Sequence, residues 1–210
     1  MTESINSLVD SLLAGLTAMS GWEATGVLLA FVYLVLAIRQ NIWCWAAAAV
    51  SEVIFLFVMF EARLYMESAL RIFYLGMAAY GWYSWRHGKQ GKDLAVQVWA
   101  VRKHLITLVA ITVLVAVSGY LLSAYTDAAL PYWDSFTTWA AMITTWMVTR
   151  KILENWYYWF VIDAVSAWLY FERGLTLTAA LYLVYLVMIV FGFMKWRDSY
   201  RETRTDLATS

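Results

Sequence analysis

Two stripes of polar and aromatic residues carry the side chains that could do chemistry. One runs Asn155, Trp159, Asp163, Ser166 and Tyr170, and the other runs Asn41, Trp45, Ala49 and Glu52. Their members recur at three- and four-residue steps, so each stripe occupies one face of a helix. Trp faces attract cations and stack on flat heterocycles. Asn donates and accepts hydrogen bonds, and a carboxylate neutralises a positive ring. The candidate set Asn41, Trp45, Glu52, Asn155, Trp159, Asp163 and Ser166 therefore suits a pocket for a polar, cationic ring. Tyr74 and Tyr185 join it because each stands seven residues before a matching glycine, Gly81 or Gly192. Plainer readings stand beside this one. Asn41 and Asn155 also suit helix caps, Trp45 and Trp159 an interfacial belt, and the two tyrosines core packing. Glu67 and Arg71, four apart, read as a local ion pair.

The elements that position these stripes are apolar helices. Charged residues make up 14 % of the 210 residues, against about 25 % in soluble domains. Thirteen Trp and fourteen Tyr fit the two membrane–water interfaces. A membrane span takes about 20 apolar residues. The pattern predicts spans near 22–38, 42–60, 65–85, 104–125, 132–149, 155–171 and 175–195. The fold class is thus an all-α membrane protein of seven helices. With the N-terminus outside, the inner segments hold Arg39, Arg86, Lys89, Lys92, Arg102, Lys103, Arg150, Lys151, Lys195, Arg197, Arg201 and Arg204, twelve cations, and the outer ones only Arg63 and Arg173. That bias predicts N-out, C-in. At about 1.5 Å per residue, Asp163 and Glu52 lie roughly 12 and 16 Å from the inner ends, where an ionisable group is costly unless it faces a cavity or a partner.

An internal repeat underlies the stripes. Asn41-Ile-Trp-Cys-Trp45 matches Asn155-Trp-Tyr-Tyr-Trp159, and Gly81-Trp-Tyr-Ser-Trp85-Arg86 matches Gly192-Phe-Met-Lys-Trp196-Arg197. In this alignment Glu52 answers to Ser166 and Ala49 to Asp163. The domain organisation is an N-terminal segment 1–21 and a transporter domain 22–197, followed by a cytoplasmic tail 198–210. The domain divides into repeat 1 (about 22–86), a linker helix (about 104–125) and repeat 2 (about 132–197). One linking helix gives both triplets the same orientation, a parallel repeat with solute bound between the halves. Residues 5–19 have the pattern of an amphipathic surface helix. Cys44 is the only cysteine, which excludes an internal disulfide. The chain has no phosphate-binding G-x-x-x-x-G-K-[ST] loop, G-x-S-x-G elbow or H-E-x-x-H pair. Its two histidines, His87 and His104, lack ligand-like spacing. The expectation is no enzyme, no metal and no cofactor. The basic inner loop reads as topology control, not nucleic-acid binding. A non-transporting membrane scaffold is the remote alternative, since a scaffold has no need for mid-membrane carboxylates.

The strings NIWCW, LYMESALRIFYLGMAAYGWYSWR, PYWDSFTTWAAMITTWMVTRKILENWYYWFVIDAVSAWLYFERGL and GFMKWR resemble the PnuC family of bacterial vitamin transporters, from about residue 22 to 197. The resemblance implies a 3+1+3 fold similar to SWEET proteins, placed in the bacterial inner membrane. It implies facilitated diffusion (uniport), a cytoplasmic kinase that traps the vitamin by phosphorylation, and a homo-oligomer, often a trimer. Members carry nicotinamide riboside, thiamine or riboflavin. Carried over by position, their pocket would draw on Asn41, Trp45, Asn155, Trp159, Asp163 and Ser166. Nicotinamide riboside carriers have Asn where this chain has Asp163. Aspartate there, with the WCW string, is more similar to thiamine-type members. The implied substrate is a cationic B vitamin, nicotinamide riboside or thiamine.

Overall fold

The structure, a computed structural model, describes Thr17, residues 20–88 and residues 94–209. The expected surface helix 5–19 lies, Thr17 apart, outside the described residues, as do Lys89 and Lys92 of the inner loop. Seven helices make up the bundle among these residues: α1 Gly21–Ile38, α2 Trp43–Glu61, α3 Tyr65–Arg86, α4 Val101–Tyr125, α5 Pro131–Thr149, α6 Asn155–Glu172 and α7 Thr176–Thr209. By length and composition, α1, α2, α4 and α7 are apolar enough to cross a membrane. The other three, α3, α5 and α6, carry Arg71, Thr144, Asp163 and most of the buried polar side chains.

Local rules explain the ends. Ser20 and Glu23 form a capping box at the start of α1: Glu23 N donates to Ser20 Oγ at 3.2 Å, and Ser20 N donates to Glu23 Oε2 at 2.7 Å. Pro131 opens α5, where its missing N–H costs nothing. Four helices then close in the same way, through a left-handed residue after the last turn: Gln40, Arg63, Lys151 and Gly174, with φ of 55°, 60°, 48° and 73°. In each case the following amide reaches back five residues, as in Asn41 N to Leu36 O and Ile152 N to Met147 O. This helix stop makes a sharp reversal without a long loop.

Those reversals recur at one spacing. Gln40 and Lys151 are 111 residues apart, and the pairs Arg63 and Gly174, Gly81 and Gly192, and Trp85 and Trp196 share that separation. The register differs from the one expected from Asn41 and Asn155. At the structural spacing, Trp45 answers to Trp156, and Glu52 answers to Asp163, not to Ser166. The reason lies in the turns. α2 begins at Trp43, two residues after Asn41, whereas α6 begins on Asn155 itself. The two asparagines therefore occupy different places in their turns.

α1–α3 pack in sequence, as do α5–α7, and the two triplets meet where α1 touches α7 and α3 touches α5. The core of that meeting is a row of four indoles. Trp45 meets Trp85 edge-on at 5.4 Å, Trp85 meets Trp196 at 6.0 Å, and Trp196 meets Trp156 at 5.4 Å. Trp85 Nε1 donates to Val148 O at 3.1 Å, and Trp196 Nε1 donates to Ala37 O at 2.9 Å. Each bond runs from the last helix of one triplet to the first helix of the other. The buried Lys151 ammonium lies 4.5 Å over the Trp85 ring and donates to Gln40 Oε1 at 3.3 Å.

Two features depart from the sequence reading. Residues 94–100 are not a plain loop: Val96 is buried in the core, and Gln97 exchanges backbone bonds with Lys151 and Leu153, both 2.8 Å, forming a parallel bridge to Ile152. The expected tail 198–210 instead continues α7 to Thr209. A helix of 34 residues spans roughly 51 Å, well beyond the ~30 Å of a bilayer core.

A side chain at Gly81 would run into the Trp45 ring, and one at Gly192 into the Trp156 ring, whereas one at Gly76, in the same helix as Gly81, would meet nothing. Gly81→Ala and Gly192→Ala are therefore expected to destabilise by about 1–3 kcal/mol each, and Gly76→Ala to be neutral or stabilising by up to about 1 kcal/mol. Thermal unfolding of the three purified variants checks this, and three equal melting points would contradict the packing described.

Candidate functional site

The candidate residues fall into two groups at different depths. Asn41 is exposed in the α1–α2 turn, where its Oδ1 accepts from Trp43 N at 2.9 Å. The bond closes a local turn one residue before the N-cap of α2, Ile42. Trp45 belongs to the indole row, packed on Gly81 and 6.0 Å from Tyr33. Asn155 is fully buried: its Nδ2 donates to Ile152 O at 2.6 Å, and its Oδ1 has no partner. Trp45 Nε1 and Trp156 Nε1, which correspond at the 111-residue spacing, are likewise buried donors without acceptors. Trp159 is half-buried and bridges the indole core to a second cluster around Ile111, Ala140 and Ile162.

The second group lies deeper, one to three helical turns further along α2 and α6. Glu52 forms an ion pair with Arg71 at 3.5 Å, and the Arg71 guanidinium stacks over Phe55 at 5.3 Å. The expected Glu67–Arg71 pair is not what forms. Arg71 reaches across to α2 because Glu52 lies in the partly buried seam, with its side chain 19 % exposed, while Glu67 is exposed. A charge in the seam gains more from a partner than a charge in solvent does.

The corresponding position in the other half is built differently. Asp163 is 5 % exposed and makes no hydrogen bond or ion pair among the described residues. Arg71 is replaced at the 111-residue spacing by Tyr182. Tyr182 and Tyr185 both lie within electrostatic reach of Asp163. Tyr182 stacks on Tyr170 at 5.4 Å with an 18° interplanar angle and meets Tyr185 edge-on at 5.8 Å. Tyr74 is within electrostatic reach of Tyr182 on one side and of Glu52 and Arg71 on the other, which links the two halves. Tyr33 approaches Glu52 and Tyr74 from α1. Ser166 is buried one turn beyond Asp163.

The structure thus brings Glu52, Tyr74, Asp163 and Tyr185 into one acidic, tyrosine-rich region, with Ser166 buried beside it. It leaves Asn41 apart, in the α1–α2 turn. Tyr182 and Tyr33 were missed from the sequence. Tyr182 had a signal: it stands three residues before Tyr185, on the same helix face, and 111 after Arg71. Two grooves, of about 490 and 650 Å³, open at the end of the bundle that carries the α1–α2 and α5–α6 turns, and neither is lined by Glu52 or Asp163. No group of three or more His, Cys, Asp or Glu that could hold a metal occurs among the described residues. His104 Nδ1 lies 3.0 Å from Tyr158 Oη, and its Nε2 lies 3.8 Å from Glu154.

Chemically, a buried carboxylate near phenols attracts a cation or a hydrogen-bond donor. The paired carboxylate, Glu52, has its charge matched already. Arg71→Gln is expected to lower stability by about 2 kcal/mol, because it strands Glu52 in the seam. The double variant Glu52→Gln/Arg71→Gln should recover part of that loss. Melting points of the two proteins test the pair, and an Arg71→Gln protein as stable as wild type would contradict it.

Comparison with known proteins agrees with a carrier. Residues 20–198 match the model of the family described as "Nicotinamide mononucleotide transporter". The riboflavin/roseoflavin transporter RibM of Streptomyces davaonensis is 27 % identical over 190 residues, 87 % of either chain. The nicotinamide riboside transporter PnuC of Escherichia coli strain K12 is 23 % identical over 215 residues, 90 % of either chain. The crystal structure of the vitamin B3 transporter PnuC superposes with a TM-score of 0.69 at 20 % identity, covering 93 % of this chain and 90 % of that one, which shows a shared fold. The protein is a membrane transport protein and not an enzyme. The family match over residues 20–198, the RibM and PnuC relatives and the shared helical fold place this chain in the nicotinamide mononucleotide transporter (PnuC) family.

Proposed function

We propose that this protein carries a flat, cationic B vitamin, nicotinamide riboside or thiamine, across the bacterial inner membrane by uniport. The observation that carries the reading is the inequality of the two carboxylates. Glu52 has Arg71, whereas Asp163 has no cationic partner among the described residues, and Tyr182 and Tyr185 lie within electrostatic reach of it. The carboxylate left without a cation is the natural counter-charge for a positive ring, with Tyr182 and Tyr185 offering faces for stacking. In this reading the vitamin's charge falls to Asp163 alone. Glu52 acts through Arg71 as part of the frame.

The rest of the proposal follows from the pattern of the chain. The seven helices cross the bilayer N-out, C-in, and the triplets α1–α3 and α5–α7 are parallel duplicates on either side of α4, as in SWEET proteins. Support comes from the matched helix stops, glycines and Trp bonds 111 residues apart. Rocking of one triplet against the other would expose Asp163 to each side in turn. Asp163 is 5 % exposed and lines neither groove. A kinase inside would trap the product, and the carrier would work as a homo-oligomer.

A second substrate reading rests on the relative RibM, a riboflavin/roseoflavin transporter. An uncharged flavin would use the tyrosine faces and leave the Asp163 charge without a counterpart, so we place it behind the cationic vitamins.

Titration of the purified protein with nicotinamide riboside, thiamine and riboflavin, followed by tryptophan quenching, separates these readings. Saturable binding of a cationic vitamin is expected, with Asp163→Asn weakening it at least about tenfold, roughly 1.4 kcal/mol, while the melting point holds. Unchanged affinity in Asp163→Asn would remove this residue from the site.

A further inference from the structure

The larger inner groove has chemistry that vitamin transport does not use. It measures about 650 Å³ and lies between the start of α6, the 94–100 segment and the C-terminal turns of α7. Its floor is apolar, from Val98, Leu153 and Phe193, with the half-exposed Tyr157 at its edge. Its rim is cationic. Arg197, Arg201 and Arg204 stand at i, i+4 and i+7, on one face of α7, and all three line the groove.

The corresponding groove in the other half shows what has been added. At the 111-residue spacing, Ile42, Trp82 and Arg86 answer to Leu153, Phe193 and Arg197, and all three line the smaller groove. There α3 ends at Arg86. α7 runs on to Thr209, and this extension supplies Arg201 and Arg204. Three like charges on one helix face destabilise it unless something anionic binds them. Asp198 reaches Arg197 at 3.6 Å, yet the buried Nε of Arg197 has no acceptor. Glu154, the acidic side chain in the groove, is held by Trp99 N at 3.2 Å and lies 3.8 Å from His104. The guanidinium carbons of Arg197 and Arg204 lie over the Phe193 and Tyr200 rings at 5.8 and 5.9 Å.

We infer that this groove binds the phosphodiester headgroup of an anionic phospholipid, with the arginines on the phosphate and the first acyl carbons along Phe193 and Tyr157. The apolar floor and the place where α7 outruns the bilayer thickness favour a lipid over a free phosphate. Basic pockets between helices at a membrane surface take such headgroups. The inference requires a membrane protein but not the vitamin proposed above.

The test is native mass spectrometry of the full-length protein with phosphatidylglycerol, phosphatidylcholine, and water-soluble glycerophosphoglycerol, which has the same headgroup without acyl chains. Wild-type protein is expected to retain phosphatidylglycerol over phosphatidylcholine. Arg201→Gln/Arg204→Gln should weaken that retention about tenfold or more while Asp163→Asn leaves it unchanged. Arg86→Gln, in the smaller groove, is the folded control and should match wild type. Equal retention of the two lipids by wild-type protein would overturn the inference without needing any variant. So would undiminished retention in the double variant, or glycerophosphoglycerol competing as well as the whole lipid. Loss of vitamin binding in Asp163→Asn with lipid retention intact would bear only on the transport site.

Discussion

Two indole N–H groups hold the bundle together across its midline. Trp85 of α3 donates to a carbonyl of α5, and Trp196 of α7 donates to a carbonyl of α1, so each half of the chain grips the other by the same bond. A buried Trp N–H without an acceptor is costly, and the two carbonyls that take these bonds also accept from the backbone of the turn that follows, Ala37 O from Gln40 N and Val148 O from Lys151 N, each at 3.0 Å. The helix stops at Gln40 and Lys151 thus share their acceptors with the two indoles. The glycines follow from the same demand. Trp45 and Trp156 press against α3 and α7 at Gly81 and Gly192, where any side chain would collide with the ring, and from there they meet Trp85 and Trp196 edge-on. The Lys151 ammonium over the Trp85 ring completes the seam.

On this even frame the chemistry is uneven. Positions 52 and 163 are both acidic, but the residue that faces them changes from Arg71 to Tyr182. One substitution at corresponding sites converts a closed ion pair into an open carboxylate. Desolvating a charge inside a bundle is costly, and Asp163 makes no hydrogen bond or ion pair among the described residues that would offset that cost. In the proposed function, a ligand with a positive ring takes the place that Arg71 has beside Glu52. The C-terminal ends of the two triplets are uneven too, because α7 continues where α3 stops.

Much of this was legible in the letters. The seven helices begin and end within about three residues of their sequence-read limits, apart from the far end of α7, because each apolar run is bounded by charged or turn residues. Asp163 and Glu52 stood out as carboxylates in otherwise apolar stretches. The register did not come through. Asn41 and Asn155 share a letter and a following Trp, but one sits in a turn and the other inside a helix start. Three of the four left-handed helix stops are Gln, Arg and Lys, not glycine, so they left no signal in the sequence. Tyr182 was overlooked because tyrosines are abundant here and only its pairing with Arg71 at the corrected spacing sets it apart. The Arg71–Glu52 bond joins two helices and could not be told from the nearer Glu67 by spacing alone. Residues 94–100 read only as part of a basic loop, and the burial of Val96 goes with a backbone bridge between Gln97 and Ile152 that sequence does not announce.

The most direct measurement is an experimental structure of the protein with a saturating cationic vitamin bound. The expected result is the positive ring within about 4 Å of the Asp163 carboxylate, a contact distance for opposite charges, with Tyr182 or Tyr185 against its face. A ring seated among Trp45, Trp85 and Trp156, with Asp163 still without a cationic partner, would contradict the account of where this carrier holds its charge.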